Sequence, residues 1–132
     1  MFKIGKRSFI TFVKRIFQIE NYIALVKFFN IHKKPFNAIF NEIFSSGKYP
    51  RPLYFNSPVG IAKVDLYSAN DFSTFNLIFC REDYFYSKKH KIVLDIGSNI
   101  GLSAVYWLTR DNKTIVYCYE PSSRNFEKLK KN

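Results

Sequence analysis

The chain has 132 residues, of which 47% are hydrophobic, and a formal net charge of +11. This length allows one modest domain with a real core, and the hydrophobic content excludes a disordered polar tail. The two cysteines, Cys80 and Cys118, are too few for a disulfide framework or a zinc site. Each lies in an apolar run, which predicts two buried free thiols in a reducing compartment.

The basic charge favours an anionic partner, such as phospholipid, nucleic acid or an acidic glycan intermediate, and a solvated basic face that keeps the chain soluble is the alternative. Zinc-ligand spacing, the aromatic run of an RNA-binding sheet and a leucine zipper are all missing, which argues against nucleic acid as the partner. The two histidines, His32 and His90, stand beside lysines and are predicted to be solvated. We predict no metal site.

Residues 1–48 are predicted to form a basic, amphipathic helical region. They hold nine of the 21 Lys and Arg residues and only two acids, Glu20 and Glu42. Apolar residues recur at helical spacing over residues 8–30, and Pro35 can begin a further helix that Ser45-Ser46-Gly47 ends. We favour a helical cap that packs on the rest of the protein, and docking on an anionic membrane surface is the alternative.

Residues 49–91 are predicted to contribute a strand and a helix that lead into the core. Residues 49–58 contain three prolines and therefore predict a loop or an edge strand. Residues 59–67 are β-branched and aromatic, which is typical of a strand. Asn70 and Asp71 are both good N-caps for the short helix that follows.

Residues 92–132 alternate between strand and helix patterns. Residues 92–96 form an apolar run with one acid, as expected of a strand that is buried on both faces. A helix over residues 100–108 and a strand over residues 114–119 follow, and Ser122 can cap one more helix. This order predicts the opening βαβα part of a parallel sheet.

The turn Asp95–Gly101 and the acid Glu120 are the strongest candidates for chemistry. A tight turn from strand to helix needs glycine where φ is positive or where the backbone approaches a ligand, and Gly97 and Gly101 can supply both. Backbone N–H groups of the turn would then face a polar ligand at the carboxyl end of the sheet. Asp95 could accept a hydrogen bond from an amino group and Glu120 from both hydroxyls of a ribose, and S-adenosyl-L-methionine carries all of these groups.

Two competing nucleotide fingerprints fit this turn less well. A dinucleotide site would need glycine at Asn99 and Leu102, and a phosphate loop would need Lys followed by Ser or Thr where Leu102-Ser103 stand. An ordinary strand-to-helix turn with an acid nearby by chance remains open as the plain interpretation.

Two segments resemble a known family. Val93–Ser103 is similar to the first motif of FkbM-type S-adenosylmethionine-dependent methyltransferases. Tyr117–Lys130 is similar to the second motif of that family, in which an acid precedes Pro-Ser and a helix. Residues 71–84 resemble the segment before the first strand loosely, and the first 60 residues show no resemblance.

The resemblance implies a class I methyltransferase fold, a Rossmann-like α/β architecture with a doubly wound parallel sheet of about seven strands. It implies methyl transfer to an oxygen or nitrogen of a small-molecule or sugar acceptor. The resemblance also implies which residues contact the cofactor. Its methionine half would be lined by Asp95, Gly97, Asn99 and Gly101. Glu120 would contact the ribose, and Ser98 and Tyr119 would lie at the edges of the site. Catalytic residues come from later strands in such enzymes, so none is assigned.

Residues 92–132 supply only two strands of such a sheet, preceded by the helical N-terminal region. We therefore expect a truncated chain that is inactive by itself and cytoplasmic. One alternative is a subunit of a split methyltransferase. Another is a non-catalytic interaction module whose basic N-terminus contacts a partner or the inner face of a membrane.

Overall fold

The computed structural model describes residues 3–4, 7–8, 19–43, 49–89 and 91–132. Its fold is mixed α/β, and the described residues form three two-stranded sheets. The strands are β1 (Lys3–Ile4), β2 (Arg7–Ser8), β3 (Arg51–Ser57), β4 (Gly60–Leu66), β5 (Ile92–Ile96) and β6 (Ile115–Tyr119). The helices are α1 (Ile19–Ile31), α2 (Pro35–Ile43), α3 (Ala69–Phe79), α4 (Leu102–Leu108) and α5 (Ser123–Leu129).

The predicted N-terminal helices are confirmed where the structure describes them. Helix α1 covers the second half of the region with helical periodicity, and α2 begins at Pro35 as predicted. The residues before Ile19 in that helical pattern, and the predicted stop at Ser45-Ser46-Gly47, lie outside the described residues. The three-part division of the chain remains a prediction.

Strands β3 and β4 form an antiparallel hairpin in which Ser57 pairs with Gly60. The strand expected over residues 59–67 is confirmed as β4. Of the proline-rich residues 49–58, which were expected to form a loop or an edge strand, residues 51–57 form the edge strand β3 and the residues on either side of it do not. Pro52 is tolerated there because β4 is the one strand among the described residues that pairs with β3, and the other side of β3 meets only an isolated bridge between Phe55 and His32.

Helix α3 is confirmed, but its predicted N-cap is wrong. Ser68 is the N-cap, and its hydroxyl accepts a hydrogen bond from the backbone N–H of Asp71. The Asp71 carboxylate reaches back and accepts from the backbone N–H of Tyr67 at 2.8 Å. This reciprocal arrangement resembles a capping box. Asn70 and Asp71 lie inside the helix because Ser68, one residue before its start, takes the N-cap position.

The core lies between α3, the hairpin and α4. Phe55 on β3 packs edge-to-face against Phe75 and Phe79, and Phe79 packs in the same way against Tyr106 on α4. These four aromatic side chains are almost fully buried. These four aromatic residues therefore serve as core material, since each buries a large apolar area.

Three sequence expectations about polar or thiol side chains meet the structure at this core. The prediction that His32 is solvated is wrong, because its ring is packed against Phe28, Phe72 and Phe75 and is only 2% exposed. His90 lies outside the described residues. Cys80 is buried, as predicted, whereas Cys118 is only half-buried because it lies on a sheet with two described strands.

Strands β5 and β6 pair in parallel, with Ile92 opposite Ile115 and Ile96 opposite Tyr119. The two predicted strands and the helices that follow them are therefore confirmed. The prediction that the first strand is buried on both faces is wrong, since Ile92, Leu94 and Ile96 are 63%, 63% and 82% exposed. Alternate residues of a strand point to opposite faces, and α4 packs on only one of them.

Among the described residues, no helix combines the length and the apolar character that crossing a lipid bilayer requires.

Candidate functional site

The turn after β5 is built by backbone hydrogen bonds that join the ends of the two parallel strands. The N–H groups of Gly97 and Ser98 both donate to the carbonyl oxygen of Tyr119, at 2.8 and 3.2 Å. The Ser98 hydroxyl donates to the carbonyl oxygen of Asp95 at 2.7 Å, and this side chain is only 2% exposed. The Ser98 side chain therefore stabilises the turn from inside, a role that the sequence did not show.

Three residues of this turn have left-handed backbone conformations. Gly97, Asn99 and Gly101 have φ of 80°, 50° and 89°. Glycine adopts such angles without steric cost and asparagine tolerates them better than most residues. The prediction that both glycines are needed at positive φ is confirmed.

Asp95 is the penultimate residue of β5, and its carboxylate is directed to the first turn of α4. The Oδ2 atom of Asp95 accepts a hydrogen bond from the Ser103 hydroxyl at 2.6 Å. This bond fixes the half-buried carboxylate beside the turn. A carboxylate can accept about four hydrogen bonds, so Asp95 retains capacity for a ligand amino group.

The Glu120 carboxylate is held by two backbone N–H groups, one from the turn after β5 and one from the segment that follows Glu120. Its Oε2 atom accepts from the backbone N–H of Asn99 at 2.7 Å, and its Oε1 atom accepts from that of Ser122 at 2.9 Å. Each oxygen has a second lone pair, so two ribose hydroxyls could still donate to them. The six sequence-predicted site residues thus lie together at the carboxyl ends of β5 and β6.

A half-open cavity of about 160 Å³ lies against this turn. Drug-sized ligands usually occupy pockets of about 300–1,000 Å³, so this cavity can hold only part of such a ligand. A Cβ atom built on Gly97 would meet no heavy atom within 4 Å, so the backbone is open to close approach at that residue. The cavity is lined by residues of α3, α4 and the two intervening segments: Asp71, Thr74, Ile78, Tyr84, Gly97, Ser98, Asn99, Ile100, Leu102 and Ser103.

Asp71, Thr74 and Tyr84 were not predicted as site residues. Asp71 and Thr74 come from α3, and the loose resemblance of residues 71–84 was the only signal for them. Tyr84 is positioned by its carbonyl oxygen, which accepts from the Tyr106 hydroxyl at 3.1 Å. The loop that carries it is further fixed by Glu82, which pairs with Lys27 and with Arg110.

The donors and acceptors of this site fit a ligand with an amino group and neighbouring hydroxyls. Asp95 and Glu120 are the carboxylates at the two strand ends. They do not line the cavity themselves but are hydrogen-bonded to lining residues, and the open backbone of Gly97 is part of the lining. Among the described residues, no group of three or more His, Cys, Asp or Glu side chains could hold a metal ion.

Comparison with known proteins yields no match, whether with family models, curated proteins or solved structures. The resemblance to FkbM-type methyltransferases therefore rests on the residues quoted above.

Proposed function

We propose that the cleft at the carboxyl ends of β5 and β6 binds S-adenosylmethionine, and that the chain carries the cofactor-binding part of an FkbM-type class I methyltransferase. The observation that supports this most is the contact of Glu120 with Asn99. It joins the acid after one strand to the glycine-rich turn after the other, so that both act as one cradle. Ligands of parallel sheets bind at this edge.

Each half of the ligand has a partner in this proposal. The cofactor's amino group donates to Asp95, and its methionine chain passes over the Cβ-free backbone of Gly97. Its ribose hydroxyls donate to Glu120. The bound cofactor supplies an activated methyl group on a sulfonium, and the protein's task is to align it with an oxygen or nitrogen of a small-molecule or sugar acceptor.

Calorimetry with S-adenosylhomocysteine on the full chain tests the site. Glu120→Ala should weaken binding by ~1–3 kcal/mol, the scale of lost hydrogen bonds to a charged group. Glu127→Ala is the matched control. Glu127 is an exposed carboxylate on α5, and it pairs with Lys130 three residues further along the chain at 2.7 Å. The control should bind like the unmodified chain.

The result also separates the rival interpretations of the turn. Absence of saturable binding to S-adenosylhomocysteine, or equal affinity in the Glu120→Ala variant, would remove the proposed ribose role. Preference for NADH over S-adenosylhomocysteine would indicate a dinucleotide site. Binding of none of these ligands would favour an ordinary strand-to-helix turn.

A second candidate function, contact with an anionic membrane surface, is favoured by the exposure of apolar side chains on α1 and α2. Val26, Phe36 and Phe40 are 61%, 74% and 61% exposed, and Lys33 and Lys34 lie between the two helices. Apolar side chains beside lysines are typical of helices that lie in a membrane interface. Sedimentation with phosphatidylserine vesicles that weakens with salt would support this function, and loss of it in Phe36→Ser/Phe40→Ser would assign it to α2.

A further inference from the structure

A second cavity, of about 570 Å³, lies where the α1–α2 junction meets β3 and α3. It is separate from the cleft described above, because Phe72 of α3 lines it, whereas Asp71, Thr74 and Ile78 of the same helix line the cleft. The described residues that line it are His32, Lys33, Lys34, Asn37, Ala38, Asn41, Arg51, Pro52, Leu53, Tyr54 and Phe72.

The described residues that line this cavity carry a net positive charge. Lys33, Lys34 and Arg51 line it, and none of its described lining residues is acidic. The Arg51 guanidinium lies over the rings of Tyr49 and Phe72, 5.1 and 5.4 Å from their centroids. These contacts hold the charge in place before any ligand arrives, which lowers the entropic cost of binding an anion.

The ring of His32 forms part of the cavity wall, and one of its nitrogen atoms is hydrogen-bonded to α3. Its Nε2 atom lies 2.9 Å from Oδ1 of Asn76, whose Nδ2 group donates to the carbonyl oxygen of Phe72 at 3.0 Å. This second bond fixes the orientation of the Asn76 amide, so Nε2 of His32 carries the proton. Nδ1 of the neutral ring is then an acceptor.

The Nδ1 atom of His32 is buried and has no hydrogen-bond partner among the described residues. A buried polar atom without a partner costs free energy, and such atoms are rare in folded proteins. This atom is closed to solvent, so a ligand in the cavity does not reach it, and the cost lowers the stability of the folded protein.

Two asparagines and two aromatic rings also line the cavity. Asn37 and Asn41 are four residues apart on α2 and therefore lie on the same face of that helix. Their amides can both donate to and accept from hydroxyl groups. Tyr54 and Phe72 offer apolar surface beside them.

We propose that this cavity binds a small hydroxylated phosphate monoester of the sugar phosphate class. The phosphate contacts Lys33, Lys34 and Arg51. The hydroxyls contact the amides of Asn37 and Asn41. The same chemistry is present in a free sugar phosphate and in the phosphorylated sugar head group of a lipid, and the experiment below distinguishes these two sources. The proposal does not depend on cofactor binding in the other cleft.

Calorimetry on the full chain, with glucose 6-phosphate, glucose and inorganic phosphate as probes, tests the proposal. Glucose 6-phosphate should bind more tightly than either of the other two. Lys33→Glu/Lys34→Glu should weaken this binding at least about tenfold, because two charge-assisted contacts become repulsive. Both lysines are exposed, so the exchange leaves the core intact.

The control is Lys88→Glu/Lys89→Glu, which makes the same change of charge on two adjacent exposed lysines elsewhere. Its affinity for glucose 6-phosphate should equal that of the unmodified chain. Asn37→Ala/Asn41→Ala should weaken binding of glucose 6-phosphate but not of inorganic phosphate, since only the former has hydroxyls to lose.

Vesicles that contain phosphatidylinositol phosphate form the second arm. Binding to soluble glucose 6-phosphate supports a free ligand. A lipid-linked ligand is supported if the protein binds only to the vesicles and if Lys33→Glu/Lys34→Glu abolishes this binding. The proposal is overturned if neither probe binds, or if the Lys88→Glu/Lys89→Glu control loses as much affinity as the cavity variant.

Discussion

Alanine at Gly97 and at Gly101 should destabilise the protein by different amounts, although both residues have positive φ. An L-residue in the left-handed region costs roughly 1–2 kcal/mol, and both variants lose this much. At Gly97 the new methyl group would meet no atom within 4 Å. At Gly101 it would lie 2.6 Å from Cδ1 of Leu129 on α5, so the leucine must move.

Movement of Leu129 adds an overpacking cost of about 1 kcal/mol. This value is at the lower end of the costs found for overpacked cores, because the overlap is with the end of a flexible side chain. We therefore expect losses of ~1–2 kcal/mol for Gly97→Ala and ~2–3 kcal/mol for Gly101→Ala. Urea unfolding followed by circular dichroism measures both, and an unchanged slope would show that the denatured state is unaffected.

A double-mutant cycle with Leu129→Ala isolates the overlap. The combined variant should be more stable than the sum of the two single losses predicts, because truncation of Leu129 makes room for the methyl group. Equal losses at the two glycines, or strict additivity in the cycle, would refute the packing of α5 on the turn. Gly97→Ala should still abolish binding of S-adenosylhomocysteine, since its methyl group occupies the side proposed for the cofactor.

Three further predictions concern the aromatic core and the thiols. Asn76→Ala should lower the free energy of unfolding by ~2–3 kcal/mol, because the buried Nε2–H group of His32 loses its acceptor; Asn70→Ala on the exposed face of the same helix is the control in urea titrations. Burial lowers the pKa of His32 below its ordinary 6.5, and the hydrogen bond to Asn76 opposes this only in part. Because the folded state then binds fewer protons than the unfolded state, stability should be full above pH 6.5 and fall as the pH drops toward the folded pKa. The slope should be at most ~1.4 kcal/mol per pH unit, and a His32→Phe variant that keeps the same slope would contradict this assignment. Burial raises the pKa of Cys80 to about 12 and raises that of Cys118 as well. Iodoacetamide should therefore label half-buried Cys118 first and Cys80 only on unfolding, which peptide mass spectrometry would show. Faster labelling of Cys80 would contradict its burial.

The sequence by itself determined the features that depend on near neighbours in the chain. Helix α2 begins at Pro35 because proline suits the first helical position, and Ser122 caps α5 through its hydroxyl, which accepts from the backbone N–H of Asn125. Gly97 and Gly101 adopt positive φ because a strand must turn sharply into a helix there. The alternation of patterns also predicted the parallel pairing of β5 with β6.

Tertiary structure alone decided which side chains are buried and which segments meet. His32 has lysines as sequence neighbours, yet its ring is buried because α1 places it against three phenylalanines that are distant in sequence or one helical turn away. The sequence predicted β5 to be buried on both faces, whereas packing covers one face of it. Asp71 and Tyr84 reach the cleft only because α3 and its following loop pack on α4. Local patterns set backbone geometry through short-range sterics and hydrogen bonds, whereas burial depends on contacts between residues far apart in the chain.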